Sequence, residues 1–585
     1  MRLAAALLSL VLAAPLSAQS SMTIPPIDNT WWKHAVIYEI YPRSFQDSNG
    51  DGIGDLVGIT RRLDYLEALG VDAIWISPMY PSPQVDFGYD ISDYENVDPQ
   101  YGTLADFDRL VAEANKHHIR VILDWVVNHT SDRHKWFLES SSSKSNPKRD
   151  WYVWNPGKKV DGKTVPPNNW ESVFGGSAWE MSPKTKEFYY HDFYKQQPDL
   201  NWRNPAVERA MFEGMQFWMD RGVAGYRLDA VPTLFEDTQL RDEPVKPGVN
   251  KQGDVNLDDV YTNNLPEVHD VMRRMRAMVA KYPGDRVLIG ETYLPNIAEV
   301  DKWYGGEKKD ELQLPMDTII GFSSSTLDAA RFRKQLTDVE TGVHGSQPLL
   351  VFDNHDNERS TDRYTVGIQD PVAKDHIAKL LATMLLTARD TALMYYGEEL
   401  GMTTATPTRK EDVKDPIGIT GWPAEKGRDG ERTPMQWDSS PQAGFSTTAK
   451  TWLPVAPNYT TLNVQAELAD PNSLLNWHKK LIKMRRTRDS VRDGGMMMLD
   501  ESNQSVLSYV RYLPGHHAIV ISLNMTDKPQ TISLDLAAAK IPPTGPEGYV
   551  LRTLQATDTE LNAVTTAHFT LPPYATWIGE VQVPK

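Results

Sequence analysis

The feature that most constrains this chain is the alternation of short, β-branched and aromatic runs with helix-like segments. Such runs recur at residues 36–41, 72–77, 120–127, 222–229, 286–291, 349–353 and 392–396, with a weaker one at 311–316. Between them lie amphipathic stretches such as 104–116 and 205–221, the second with Asn204 placed to cap it before Pro205. Strands alternating with helices pair in parallel through right-handed crossovers. Eight of them favour a closed (β/α)₈ TIM barrel over an open sheet, and a helix over 473–486 would complete its outer ring.

Two departures from a bare barrel divide the chain further. The connection from 129 to 204 is far longer than an ordinary loop and rich in Trp, Ser, Asn and Pro, so it reads as a subdomain inserted after strand three. From 493 to 585 the pattern becomes short alternating strands with turns, among them 506–513, 517–523 and 530–534, which predicts a C-terminal antiparallel β domain. The barrel then occupies 22–128 and 205–492. Residues 1–21 carry Arg2, an apolar run over 3–16 and small residues to Ala18, the pattern of a secretory signal peptide. That run is shorter than the roughly 20 apolar residues a membrane span needs. Export of a chain with no cysteine suits a periplasm or the medium, and rules out disulfides and thiolate chemistry. A net charge of −17 argues against nucleic acid or an anionic membrane as partner.

In a (β/α)₈ barrel the side chains at the C-terminal ends of the strands line the active site. There the sequence places Asp124 and His129 after strand three, Arg227 and Asp229 on strand four, Glu291 on strand five, and His355 and Asp356 after strand seven. One buried carboxylate is an ordinary structural feature; four converging are hard to explain that way, because unpaired buried charge is costly. Arg227 and Asp229 are two apart and face the same side. The arginine is expected to hold Asp229 ionised, while the apolar approach to Glu291 (residues 287–290) is expected to keep that carboxyl protonated. Two carboxyls pushed apart in pKa divide the roles of nucleophile and acid/base in glycoside cleavage.

The segments DWVVNH (124–129), GYRLDAV (225–231), IGET (289–292) and FDNHD (352–356) resemble the four conserved blocks of the α-amylase family, glycoside hydrolase family thirteen. QPDLN at 197–201 resembles a fifth block of its α-glucosidase and oligo-1,6-glucosidase branches. The likeness covers essentially the whole chain after the signal segment. It implies a retaining mechanism with Asp229 as nucleophile, Glu291 as acid/base and Asp356 bracing the distorted ring, with His129 and His355 on sugar hydroxyls and Arg227 orienting Asp229. Asp124 is expected to be structural. By the same resemblance Asp86 binds the terminal glucose, Tyr89 stacks on it, and Arg428 pairs with Asp86 to close the pocket, making the enzyme exo-acting on small α-glucoside oligosaccharides. Ala230 tilts linkage preference toward α-1,4, since 1,6-preferring relatives tend to have Val there. An oligo-1,6-glucosidase, a glucosyltransferase or a trehalose-forming isomerase would share the same intermediate. Non-catalytic transporter subunits of similar fold lack the catalytic set and carry a membrane anchor.

The stretch Asp47, Asn49, Asp51, Ile53 (through its carbonyl) and Asp55 offers oxygen donors at alternating positions around glycines. Hard oxygen donors suit a structural Ca²⁺, or Mg²⁺ with waters. The twelfth position is Gly58 rather than a bidentate Glu, so the loop is not an EF-hand. Similar α-glucosidases bind Ca²⁺ here.

Overall fold

The computed structural model describes residues 30–541, 543 and 548–582, so the expected signal segment lies outside the described residues. Eight strands close a parallel barrel: β1 (Val36–Ile40), β2 (Ala73–Ile76), β3 (Arg120–Val126), β4 (Gly225–Asp229), β5 (Val287–Gly290), β6 (Leu314–Asp317), β7 (Leu349–Val351) and β8 (Thr391–Tyr395), with β8 beside β1. Period two decides what fills the barrel. Ile37, Trp75, Ile122, Val287, Ile289, Met316 and Leu393 form a buried apolar cluster inside it, while their strand neighbours pack outward under the helices. Above that plug the same inward rows turn polar, with Glu39 on β1, Asp124 on β3, and Arg227 and Asp229 on β4.

The weak strand forms at Leu314–Asp317, later than expected, because Glu311 is turned away to hydrogen-bond His269 and Arg273. β4 starts at Gly225 rather than 222. Gly222 takes a left-handed φ of +97° where the helix Pro205–Met219 turns back, and no side chain fits at Gly225, where a Cβ would lie 2.3 Å from the Val287 carbonyl. That helix begins as expected, Asn204 capping the Ala206 N–H ahead of Pro205. The closing helix runs Leu474–Thr487 with Ser473 as its cap.

The inserted segment folds into a three-stranded sheet (Trp154–Asn155, Phe188–Tyr190, Trp179–Met181) and a hairpin (Lys158–Val160 with Lys163–Val165). The QPDLN run is its return seam: Asp199 bridges to His129, and the Leu200 N–H donates to the Asn128 carbonyl at 2.9 Å. A second excursion, the hairpin Val245–Val249 with Val255–Leu257, follows β4 and carries no pattern that singled it out. The C-terminal domain is a five-stranded antiparallel sheet, Gly495–Leu499, Val506–Tyr512, Ile519–Asn524, Thr576–Val581 and Leu551–Ala556 in spatial order, over its own core. Buried Arg511 pins it to the barrel, donating to the carbonyls of Thr387 and Ala388 at 2.7 and 2.8 Å. Among the described residues no helix is long and apolar enough to cross a membrane.

Candidate active site

Register brings the central carboxylates together. Asp124 is paired with Arg227 across β3 and β4, and Arg227 with Ile289 across β4 and β5. Counting up two residues sets Asp229 level with Glu291 on neighbouring strands, and the Glu291 N–H donates to the Leu228 carbonyl at 3.0 Å. Adjacent strands stand about 4.8 Å apart, so two in-register side chains on one face must meet.

Arg227 fastens the group. Its Nη1 donates to Asp229 Oδ1 at 2.6 Å and to both oxygens of Asp124 at 3.1 Å, and its Nη2 lies 2.8 Å from Glu291 Oε1. Asp124 is wholly buried and also accepts from Tyr89 Oη and Trp75 Nε1, so its oxygens are taken up within the protein. The expected separation of Asp229 and Glu291 in pKa does not appear. Burial pushes the Asp229 carboxyl up to about 7, against Arg227 and reinforced by Asp124 and Asp356. Burial likewise pushes Glu291 up to about 7, against Arg227 and reinforced by Asp229 and Asp356. The reason is geometric: Arg227 is shared among three carboxylates, so it cannot favour the charge of one. The two carboxyls titrate as a pair.

Asp356 is the opposite case. Burial would raise it, but His355, Arg428, Arg432 and Arg227 outweigh that and hold its carboxyl well below the usual range. Arg428 Nη1 and Arg432 Nη2 reach its Oδ1 at 2.8 and 2.9 Å, and His355 Nε2 stands 3.2 Å from its Oδ2. His355 Nδ1 is 2.6 Å from Glu39 Oε1, and its ring stacks between Tyr89 and Tyr41. Burial lowers the pKa of His355 and raises that of Glu39, which fits a protonated Glu39 donating to Nδ1 and an Nε2–H donating to Asp356.

The far wall is a second guanidinium hub. Arg428 Nη2 lies 2.8 Å from Asp86 Oδ1, and Asp415 grips the same side chain at Nε and Nη2, at 3.0 and 2.7 Å. Gln197 Nε2 donates to Asp86 Oδ2 at 3.0 Å and touches His129 Nε2 at 3.1 Å. His129 is buried and 3.1 Å from the Tyr89 carbonyl, and burial lowers its pKa to about 4, so its ring is neutral. Phe174, from the inserted segment, packs its ring 5.6 Å from the Arg428 guanidinium. Ala230, directly after Asp229, adopts φ 46°, ψ 40°, and its N–H donates to Glu291 Oε2 at 2.8 Å. The structure therefore gathers Asp229, Glu291, Asp356, Arg227, Ala230, Asp86, Tyr89, His129, His355 and Arg428 into one connected group at the C-terminal ends of the strands. Sequence reasoning missed Glu39, Asp415 and Arg432, and singled out Gln197 only as part of a block. Glu39 had a signal, a lone acid at an inward position of an apolar strand; Asp415 and Arg432 lie in the long connection after β8 and had none.

The Asp47–Asp55 loop is wound by its own side chains. Asp47 Oδ1 accepts from the N–H groups of Asn49 and Gly50, Asn49 Oδ1 from Asp51, and Asp51 Oδ1 from Ile53, while Asp55 caps the helix Leu56–Arg61 through the Gly58 N–H. The second Asp47 oxygen accepts from the Gly52 N–H and the second Asp55 oxygen from the Ser48 N–H, so these side chains are engaged by the loop's own backbone. A separate acidic and histidine group that could hold a metal ion stands at Asp64, Glu67 and His117, with donor atoms within 4.8 Å of one another.

A (β/α)₈ barrel whose strand ends converge two in-register carboxyls and a third, arginine-held one defines an enzyme of the carboxylate-catalysed barrel class. The α-amylase catalytic-domain model matches residues 39–494, and the chain belongs to the α-amylase family. It is 40% identical over 535 residues to a probable α-glucosidase of Rhizobium meliloti, covering 89% of this chain and 94% of that protein. It is also 40% identical over 534 residues to an oligo-1,6-glucosidase of Parageobacillus thermoglucosidasius, covering 86% and 92%. Among solved structures, an α-glucosyl transfer enzyme superposes with a TM-score of 0.84 at 36% identity, covering 94% of this chain and all of that one.

Proposed function

We propose that the protein is a retaining exo-α-glucosidase that releases glucose from the non-reducing end of maltose and short maltooligosaccharides, with some transfer of glucose to sugar acceptors. The observation that carries this is the level placement of Asp229 and Glu291 on adjacent strands, joined by one guanidinium. That closeness suits the about 5–5.5 Å separation of retaining enzymes rather than the about 6.5–9.5 Å of inverting ones.

With one proton on the pair, Asp229 attacks the anomeric carbon as an anion while Glu291 passes its proton to the departing oxygen. A covalent glucosyl–Asp229 ester and a free aglycone result. Glu291, now a carboxylate, takes a proton from water, whose oxygen displaces Asp229; glucose leaves and the pair regains its proton. Asp356, kept ionised by Arg428, Arg432 and His355, accepts hydroxyl hydrogen bonds and favours the positive charge that develops at the ring. Tyr89 lies under that ring, and His129 and His355 help define the floor. Arg428 against Asp86 blocks the pocket behind the non-reducing glucose, which supports removal of single units.

Ala230 tilts the linkage toward α-1,4. Initial rates on maltose and isomaltose test this: maltose ahead is expected, and isomaltose clearly ahead overturns it. The relatives named for 1,6-cleavage and glucosyl transfer keep a second reading in play, in which a sugar hydroxyl outcompetes water. Product analysis at high maltose separates the two, mainly free glucose supporting hydrolysis. We further propose a structural Ca²⁺ on Asp47, Asn49, Asp51, the Ile53 carbonyl and Asp55, and export directed by residues 1–21, which the N-terminal sequence of the secreted protein would test.

A further inference from the structure

Glu39 is the one acid on β1, level with Trp75 on β2 and Tyr395 on β8. It is wholly buried and makes no bond to Asp229 or Glu291. Among the described residues its carboxyl has a single hydrogen-bond partner, the Nδ1 of His355 at 2.6 Å, while its Oε2 is buried with none. Arg227 and Arg432 stand near enough to favour its charge. Yet the hydrogen bonds they make go to Asp124, Asp229, Glu291, Asp356 and the His355 carbonyl.

Geometry counts the protons on this pair. Nδ1 and Oε1 at 2.6 Å cannot face each other as two lone pairs, so one proton lies between them. Nε2, on the opposite edge of the ring, stands 3.2 Å from Oδ2 of an ionised Asp356, so it carries a proton too. The shared proton belongs to Glu39. Placing it on Nδ1 would set an imidazolium beside a carboxylate whose Oε2 is buried without a bond, a costly state for an anion. Burial acts in the same direction, raising the pKa of Glu39 and lowering that of His355.

The imidazole plane is fixed by Tyr41 and Tyr89, which stack on its two faces with centroids 5.7 and 5.2 Å away. Stacking is indifferent to a half-turn about the Cβ–Cγ bond, which exchanges Nδ1 with Cδ2 and Nε2 with Cε1. A donor at Nδ1 fixes both the rotation and the tautomer, and so sets an N–H against Asp356 Oδ2. We propose that Glu39 is a positioning residue that, as a neutral acid, holds His355 with its Nε2–H toward Asp356 and so keeps Asp356 oriented for the transition state. The effect on catalysis rests on the role proposed above for Asp356; the proton placement rests on the geometry alone.

The test compares Glu39→Gln and Glu39→Met in the full-length protein. An amide N–H replaces the acid's O–H toward Nδ1, whereas Met matches the length and donates nothing. Gln is expected to keep kcat and KM for maltose within about twofold of wild type. Met is expected to lower kcat at least about tenfold while KM changes less than about threefold, because a group that stabilises developing charge acts in the transition state. Nitrogen-15 spectra of protein labelled at histidine read the tautomer directly, the His355 signals being those absent from His355→Asn. Wild type and Gln should show an unprotonated Nδ1 and a protonated Nε2, and Met should lose that pattern. Gln as impaired as Met, Met as active as wild type, or a protonated Nδ1 in wild type would overturn the proposal. Wild-type protein that releases no glucose from maltose would sink the substrate reading instead, and the tautomer spectra would still decide the role of Glu39.

Discussion

The N–H of Ala230 donates to Glu291 Oε2 at 2.8 Å, so the residue after the nucleophile helps to hold the acid/base. It does so from a left-handed conformation, φ 46°, that costs a non-glycine residue on the order of 1 kcal/mol. A β-branched side chain fits there worse than alanine does. Ala230→Val is therefore expected to lower the melting temperature, by about 2 °C for a further ~1 kcal/mol of strain. If Ala230 also sets the linkage, the same variant raises the isomaltose-to-maltose rate ratio. A ratio that does not move, measured on folded protein, removes Ala230 from the specificity argument.

Roles within the central pair separate by leaving group. Asp229→Asn abolishes the nucleophile and should lower kcat by about 10⁴-fold or more on every substrate. Glu291→Gln removes a proton donor, which matters most when the leaving group is poor. Its loss on maltose should exceed its loss on 4-nitrophenyl α-glucoside by at least about tenfold. Equal losses on the two substrates would reverse the assignment of Glu291.

Arg428 is bound by three carboxylates, Asp86, Asp356 and Asp415, and none of them has another arginine of equal reach except Asp356, which keeps Arg432. Arg428→Lys keeps the charge but loses the planar fork. We expect kcat/KM for maltose to fall about 100-fold, with circular dichroism unchanged. Because Asp356 is held well below the usual carboxylate range while the Asp229–Glu291 pair rises to about 7, the acid limb of the kcat/KM profile reports the pair and should stay in place. A displaced acid limb would mean that Arg428 also bears on the charge of the central pair.

Much of this was legible in the sequence, and what was not has a common cause. Strand runs announce themselves through β-branched and aromatic content, and period two then states which residues share a face, so Arg227, Asp229 and Glu291 could be placed before any coordinates. Register across strands is not written in either strand alone. The sharing of Arg227 with Glu291 was therefore invisible, and with it the joint rise of both carboxyls. Asp415 and Arg432 sit in an irregular connection with no periodicity to read, while Glu39 left one mark, a lone acid at an inward position of the otherwise apolar β1.

The Asp47–Asp55 loop yields a metal prediction with its own sign. It carries three carboxylates and an amide within nine residues, each accepting backbone N–H groups, and hard oxygen donors of this kind suit a bound Ca²⁺. Chelation with EDTA should lower the melting temperature, excess Ca²⁺ should restore it, and Mg²⁺ should restore less. Asp51→Ala should start from the lower temperature and lose the response to both. A wild-type melting temperature indifferent to EDTA would dismiss the site.

The raised carboxyls also predict how stability depends on pH. An unfolded Asp or Glu ionises near pH 4, but in the folded protein Asp229 and Glu291 keep their protons up to about pH 7, because burial disfavours the charge. Between those limits the folded state binds more protons than the unfolded state, so stability falls as pH rises. The contribution of the pair is fully present below about pH 4 and is lost as pH climbs through about 7. Asn at 229 has no proton to lose and mimics the neutral acid. Asp229→Asn should therefore melt at a higher temperature than wild type at pH 7.5, with the gap closing toward pH 4. The comparison is made by differential scanning calorimetry at matched ionic strength. A gap of the same size at both ends would mean that shape or hydrogen bonding, not ionisation, separates the two proteins. A variant less stable than wild type at pH 7.5 would mean that the bond from Arg227 to Asp229 outweighs the cost of burying that charge.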